Sequence, residues 1–145
     1  MFKSIVVGTD GSPTATEAVK RAAGLAAGWG AELHVVSAHV PHKAKVAVGS
    51  ASVPEAASWT PDPDYKVDAV LDKAMSVCKD GGVEVKVHAP KGDPADALME
   101  VAKREGADLI IVGNRGMTGA RRLLGSVPNK VTHHAPCSVL VVNTA

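Results

Sequence analysis

Apolar residues along the chain alternate between short unbroken runs and longer stretches in which they recur every third or fourth position. Ile5-Val6-Val7 is a β-branched run closed by Gly8 and the polar cluster Thr9-Asp10-Gly11-Ser12. Pro13 then opens a stretch where Ala15, Ala18, Val19, Ala22, Leu25 and Ala26 keep helical spacing, which predicts an amphipathic helix over about 13–28. Its apolar side is mostly alanine, so it can approach a sheet closely. A strand over 33–40 follows. Residues 41–63, with Pro41, Gly49, Pro54, Pro61 and Pro63 among small residues of no clear period, read as a long mobile loop in which Trp59 is an anchor.

Val67, Val70, Leu71, Ala74, Met75 and Cys78 form one stripe of a helix over 64–79, stopped by Gly81-Gly82. Val83, Val85 and Val87 alternate with Glu84, Lys86 and His88, a strand pattern. Gly92-Asp93-Pro94 begins a helix, Asp93 capping and Pro94 in the first turn, that carries Ala97, Leu98, Val101 and Ala102 to Gly106. Leu109-Ile110-Ile111-Val112 is a strand running into Gly113. A glycine-containing loop leads to a last helix from Val127 or Pro128 to about His134, and Val139-Leu140-Val141-Val142 closes the chain as a strand.

The order β-α-β-α-β-α-β-α-β predicts an α/β fold with right-handed crossovers, parallel strands and helices on both faces. Strands around Ile5, Val35, Ile110 and Val141 are continuously apolar, as strands buried on both faces are. Only the third alternates, so it belongs at an edge. That selects an open doubly wound five-stranded sheet of order 3-2-1-4-5. The same order leaves the apolar last strand at the other edge, an exposure that soluble proteins cover. A homodimer through Val139-Leu140-Val141-Val142 is the expected cover.

With 145 residues the chain is the size of one domain, 1–145. Sixteen basic against 15 acidic residues give a net charge of +1, which offers no electrostatic basis for a broad nucleic-acid or membrane surface. Aromatics at 3% argue against a stacking platform for single strands. No apolar run approaches the length of a membrane span, and the first strand starts at once without room for a signal peptide, so a cytoplasmic location is expected. Cys78 and Cys137 are read as reduced, largely buried thiols.

In such a sheet ligands bind at the carboxyl ends of the strands where the winding reverses, here between strands 1 and 4. Those strands end in Gly8-Thr9-Asp10-Gly11-Ser12 and Gly113-Asn114-Arg115-Gly116. Gly113 and Gly116 let backbone N–H groups approach phosphate oxygens. Gly125-Ser126 precede the last helix, whose free N–H groups favour an anion, and Arg115 can reach a phosphate. Asp10 can accept from a ribose hydroxyl or an adenine amine, or instead cap the first helix. Ala38 and Val40 end the second strand, where backbone groups can meet a base.

Gly113-Asn114-Arg115-Gly116 followed by Gly125-Ser126-Val127 resembles the nucleotide signature of the universal stress protein family, G-x2-G-x9-G-(S/T). The opening Val6-Val7-Gly8-Thr9-Asp10-Gly11-Ser12 and the ending Ala135-Pro136-Cys137-Ser138-Val139-Leu140-Val141-Val142 extend the resemblance over nearly the whole chain. It implies the family's ATP-binding branch, which holds adenine nucleotides in this crevice and commonly dimerises through the last strand. It places Thr9, Asp10 and Ala38 near base and ribose, and Gly113, Gly116, Gly125, Ser126 and Val127 around the phosphates. The loop 117–124 is one residue short of the signature. ATP, with or without Mg2+, is therefore expected first, and ADP, AMP and cyclic AMP stay open.

Other signatures are missing. The glycines after the first strand do not make G-x-G-x-x-G, and neither a P-loop nor a nucleophile elbow occurs. His34, His39, His42 and His88 show no ligand spacing, and His133 and His134, being adjacent, do not share a helix face. A regulatory module is thus expected ahead of an enzyme, which would be at most a weak ATPase; a nucleotide-free structural dimer is the third reading.

Overall fold

The computed structural model describes residues 1–39, 63–114 and 127–144. The elements in order are β1 (Ser4–Gly8), α1 (Pro13–Trp29), β2 (Glu32–Val36), α2 (Pro63–Asp80), β3 (Val85–His88), α3 (Pro94–Arg104), β4 (Leu109–Gly113), α4 (Val127–His134) and β5 (Ser138–Val142). The five strands form one parallel sheet in the order β3-β2-β1-β4-β5, as the hydrophobic pattern requires. The segments expected as a long loop around Trp59 and as the glycine loop from Arg115 to Ser126 lie outside the described residues, as does Val40.

Consecutive residues of a central strand feed opposite faces, and two cores result. Ile5, Val7, Leu33, Val35, Leu109 and Ile111 pack under α1 and α2. Val6, Val36, Ile110 and Val112 pack under α3 and α4. This is why β1 and β4 need unbroken apolar sequence. Each such valine or isoleucine contributes about 1.5–3 kcal/mol by leaving water. Ala18, Ala22 and Ala26 give α1 a smooth buried face. At the edges the burial fails: Val87 of β3 and Leu140 and Val141 of β5 are exposed.

Local chemistry sets the element ends. Ser12, not Asp10, caps α1, its hydroxyl accepting from Ala15 N–H at 3.2 Å. Asp10 instead closes a tight turn, its Oδ1 accepting from Ser12 N–H at 2.9 Å. Pro13 forces the cap one residue before itself, because its fixed φ already belongs to the first helical turn. The helix runs one residue past Gly28 and stops at Gly30, which takes the left-handed conformation at φ 63°. Asp93 caps α3 as its sequence indicates, accepting from Asp96 N–H at 3.1 Å. The second strand is shorter than its sequence suggests: β2 ends at Val36, and beyond it only a bridge between His39 and Lys91 continues the pairing.

Candidate functional site

A crevice of about 270 Å³ opens at the carboxyl ends of the strands, where β1 and β4 lie side by side and their connections leave in opposite directions. Gly8, Thr9 and Asp10 line one side and Gly113 and Asn114 the other. Ser37 and Ala38, just after β2, form a third edge. Pro94 and Leu98 of α3 and Val127 and Pro128 of α4 complete the wall. The structure therefore brings together Gly8, Thr9, Asp10, Ala38, Gly113, Asn114 and Val127 of the expected site. Val40, Arg115, Gly116, Gly125 and Ser126 lie outside the described residues.

The lining divides by polarity. Val36, Leu98 and Val112 are buried and give the crevice an apolar floor, suited to the face of a flat ring. Polar groups surround that floor. Thr9 N–H donates to Val36 O at 2.9 Å, which draws β1 and β2 together past the last strand residue. The Thr9 hydroxyl accepts from Gly11 N–H at 3.1 Å. Asp10 is exposed, and with Oδ1 engaged by Ser12 its other carboxylate oxygen is turned to no protein donor among the described residues.

Asn114 plays a part that composition did not reveal. Its side-chain oxygen accepts from Thr144 N–H at 3.0 Å and from the Thr144 hydroxyl at 3.2 Å, and its amide reaches Asn143 Oδ1 at 3.4 Å. The side chain thus holds the segment after β5. Gly113 is also constrained from within the protein, since a Cβ there would stand 3.1 Å from Thr144 Cγ2 and 3.5 Å from Ala18 Cβ. Its missing side chain serves packing against the tail. Gly8 is similar, with Leu98 3.1 Å from where its Cβ would stand.

Two helices start at the crevice, and they differ in their free charge. The N-terminus of α3 is closed by Asp93, whose carboxylate also meets Lys130 of α4 at 3.2 Å; Lys130 reaches Asp96 at 3.0 Å. Burial works against ionisation of Asp93, but the Asp96 N–H and the Lys130 ammonium outweigh it and hold the carboxyl below its usual range. That end of the wall is already anionic. The first turn of α4, at Val127 and Pro128, instead faces the crevice.

Sequence reasoning missed Ala15, Val36, Ser37, Pro94, Leu98, Val112 and Pro128 as lining residues. Pro94 and Pro128 were legible as helix starts, and helix starts lie at the carboxyl ends of parallel strands, so position alone would have found them. Among the described residues, no group of three histidine, cysteine or acidic side chains is placed to hold a metal, and no helix is long and apolar enough to cross a membrane.

The molecule is thus an α/β protein with a doubly wound sheet and an apolar crevice at its switch point, rimmed by strand-end glycines. The sequence profile of the Universal stress protein family matches residues 1–143, and the chain belongs to that family. It is 39% identical to universal stress protein Rv1636 of Mycobacterium tuberculosis strain H37Rv, over 99% of this chain and 97% of that one. It is 34% identical to universal stress protein MJ0531 of Methanocaldococcus jannaschii, over 98% and 82%. The crystal structure of a universal stress protein in complex with cAMP superposes with a TM-score of 0.75 at 35% identity, covering 99% of this chain and 98% of that chain.

Proposed function

We propose that the crevice between β1 and β4 binds an adenine nucleotide, and that the protein is a single-domain cytoplasmic regulatory module acting as a homodimer. One observation carries this reading: an apolar floor with polar strand-end edges lies at the switch point of the sheet, fitting a purine beside a phosphorylated sugar. The base lies over Val36 and Leu98 with its edge toward the backbone at Ala38. Asp10 accepts from the ribose. Phosphates extend toward Gly113, the first turn of α4 and the residues Arg115, Gly116, Gly125 and Ser126. Binding changes the surface a partner meets. ATP is the first candidate, with Mg2+ as its usual companion.

Cyclic AMP is the second reading, favoured by a specific likeness: a 35% identical universal stress protein has been crystallised with it. A phosphate loop one residue short of the signature agrees with a ligand carrying a single phosphate. Mass spectrometry of small molecules released from freshly purified protein, followed by calorimetry with ATP, ADP, AMP and cyclic AMP, separates the candidates. Silence with all four ends the proposal. Single-turnover assays with labelled ATP decide between a binding module and a weak ATPase.

A further inference from the structure

Outside the crevice, a chain of polar side chains crosses β2, β3 and the end of α3. His34 is wholly buried, and its Nδ1 lies 2.9 Å from His88 Nε2. The other nitrogen of His88, Nδ1, lies 3.1 Å from Arg104 Nη2. Nε2 of His34 stands 2.7 Å from Glu32 Oε1, near in distance but poorly aligned for a hydrogen bond. Lys86 holds the same carboxylate oxygen at 3.3 Å.

The proton positions follow from the ends of this chain. Arginine only donates, so His88 Nδ1 accepts. The proton of neutral His88 is then on Nε2 and points at His34 Nδ1, which accepts. His34 therefore carries its proton on Nε2, facing Glu32. Adding one proton breaks this arrangement whichever ring receives it. On His88 it occupies Nδ1, against the guanidinium. On His34 it occupies Nδ1 and drives the His88 proton from Nε2 to the same place. In both cases two donors, with no acceptor between them, meet at His88 Nδ1 and Arg104, and in the first both are also cationic.

The consequence reaches the crevice through the backbone. His88 is the register partner of Val36, and its carbonyl accepts from Ser37 N–H at 3.0 Å. Val36 and Ser37 both line the crevice. The next stitches, His39 N–H to Pro90 O at 2.8 Å and Gly92 N–H to His39 O at 2.9 Å, lead to the Asp93 cap of α3. We propose that the His34–His88 pair is a proton-operated latch on this wall: uptake of one proton expels Arg104, loosens the Ser37–His88 contact and weakens nucleotide binding. The last part rests on the nucleotide reading above.

The surrounding charges support the same direction. Burial, then the neighbouring His34, holds His88 below the usual imidazole range; Glu105 pulls the other way, and Arg104 and Lys86 push down further. Glu100 lies 3.9 Å from Arg104 on the preceding turn and offers the guanidinium an alternative partner.

Nitrogen-correlated NMR of both rings in the ligand-free protein, from about pH 8 to about pH 5, tests the latch. Both rings are expected as Nε2–H tautomers at the upper end, with the signals of the pair and of the Ser37 amide changing together as one proton is taken up. Arg104→Gln, at a half-exposed side chain, removes the opposing donor and raises the midpoint of that titration. Mixed tautomers, or a midpoint indifferent to Arg104→Gln, overturn the latch. Calorimetry with cyclic AMP, whose phosphodiester does not titrate in this range, tests the link. Affinity is expected to fall about threefold or more on acidification, with a midpoint that moves in Arg104→Gln as the rings do. Affinity that is flat with pH while the rings titrate overturns the link. Absence of cyclic AMP binding at every pH overturns the cyclic AMP reading and with it this link, and the ring tautomers and Ser37 amide still decide the latch.

Discussion

Asn114, the first residue after β4, is held by Thr144, two residues after β5, through two hydrogen bonds to one side-chain oxygen, at 3.0 and 3.2 Å. The end of the chain is thereby fastened to the rim of the crevice.

Removing that clasp should cost stability. Asn114→Ala leaves the Thr144 N–H and hydroxyl without their acceptor in a buried setting and is expected to destabilise by about 1–3 kcal/mol. Thr144→Val keeps the shape and loses only the hydroxyl contact, so about 1 kcal/mol is expected. Urea unfolding of both variants measures the difference; equal, negligible losses would show the clasp to be idle.

Gly113→Val is expected to unfold more easily than wild type by about 1–3 kcal/mol, because Thr144 and Ala18 already occupy the space its side chain needs. Gly113→Ala should fall between. A loss of nucleotide binding in either variant therefore has to be read at a temperature where circular dichroism shows the fold intact.

Asp108 ties β1 to the start of β4: it accepts from Lys3 N–H and Ser4 N–H, at distances of 3.0 to 3.2 Å. The Lys3 amide, then the Ser4 amide, hold its carboxyl below the usual range against some opposing burial. A carboxyl lowered on folding binds its proton more weakly in the native state. Its contribution is therefore fully present above the ordinary carboxylate range and is lost as pH falls through the native value. Asp108→Asn should lower stability near neutral pH, with the gap to wild type narrowing below about pH 4. A gap constant with pH would contradict this origin.

Leu140 and Val141 are exposed on the β5 edge. If a second copy covers them, Leu140→Asp should convert a dimer to a monomer in sedimentation velocity while leaving the circular dichroism spectrum unchanged. A monomeric wild type would dismiss the homodimer directly.

The thiols differ in access. Cys78 is buried within the α1–α2 core and Cys137 is half-buried against the α3–α4 core, so the sheet separates them. Burial raises the pKa of both, and for Cys137 the Asp108 charge adds to it. Iodoacetamide at neutral pH should label Cys137 slowly and Cys78 only on unfolding, as read by mass spectrometry.

Much of this architecture was legible in the order of residues. The unbroken runs at Ile5-Val6-Val7 and Leu109-Ile110-Ile111-Val112 report burial on two faces, and the alternation around Val85 reports an edge; together they set the strand order. What escaped were relations between distant residues. His34 sits in an apolar strand, a hint of burial, but its partner His88 is brought to it only by the β2–β3 register. Asn114 lines the crevice as expected, but nothing local announces its bond to Thr144. Asp10 and Ser12 compete for one capping position, and the fixed φ of Pro13 settled it in favour of the nearer residue.

The β1–β4 pairing joins residues as far apart as Ile5 and Leu109, about 100 positions along the chain. The first three strands can associate soon after they emerge from the ribosome, leaving the fully apolar flank of β1 open until β4 is synthesised. The interval before β4 docks is accordingly when the nascent chain is expected to be most prone to associate wrongly.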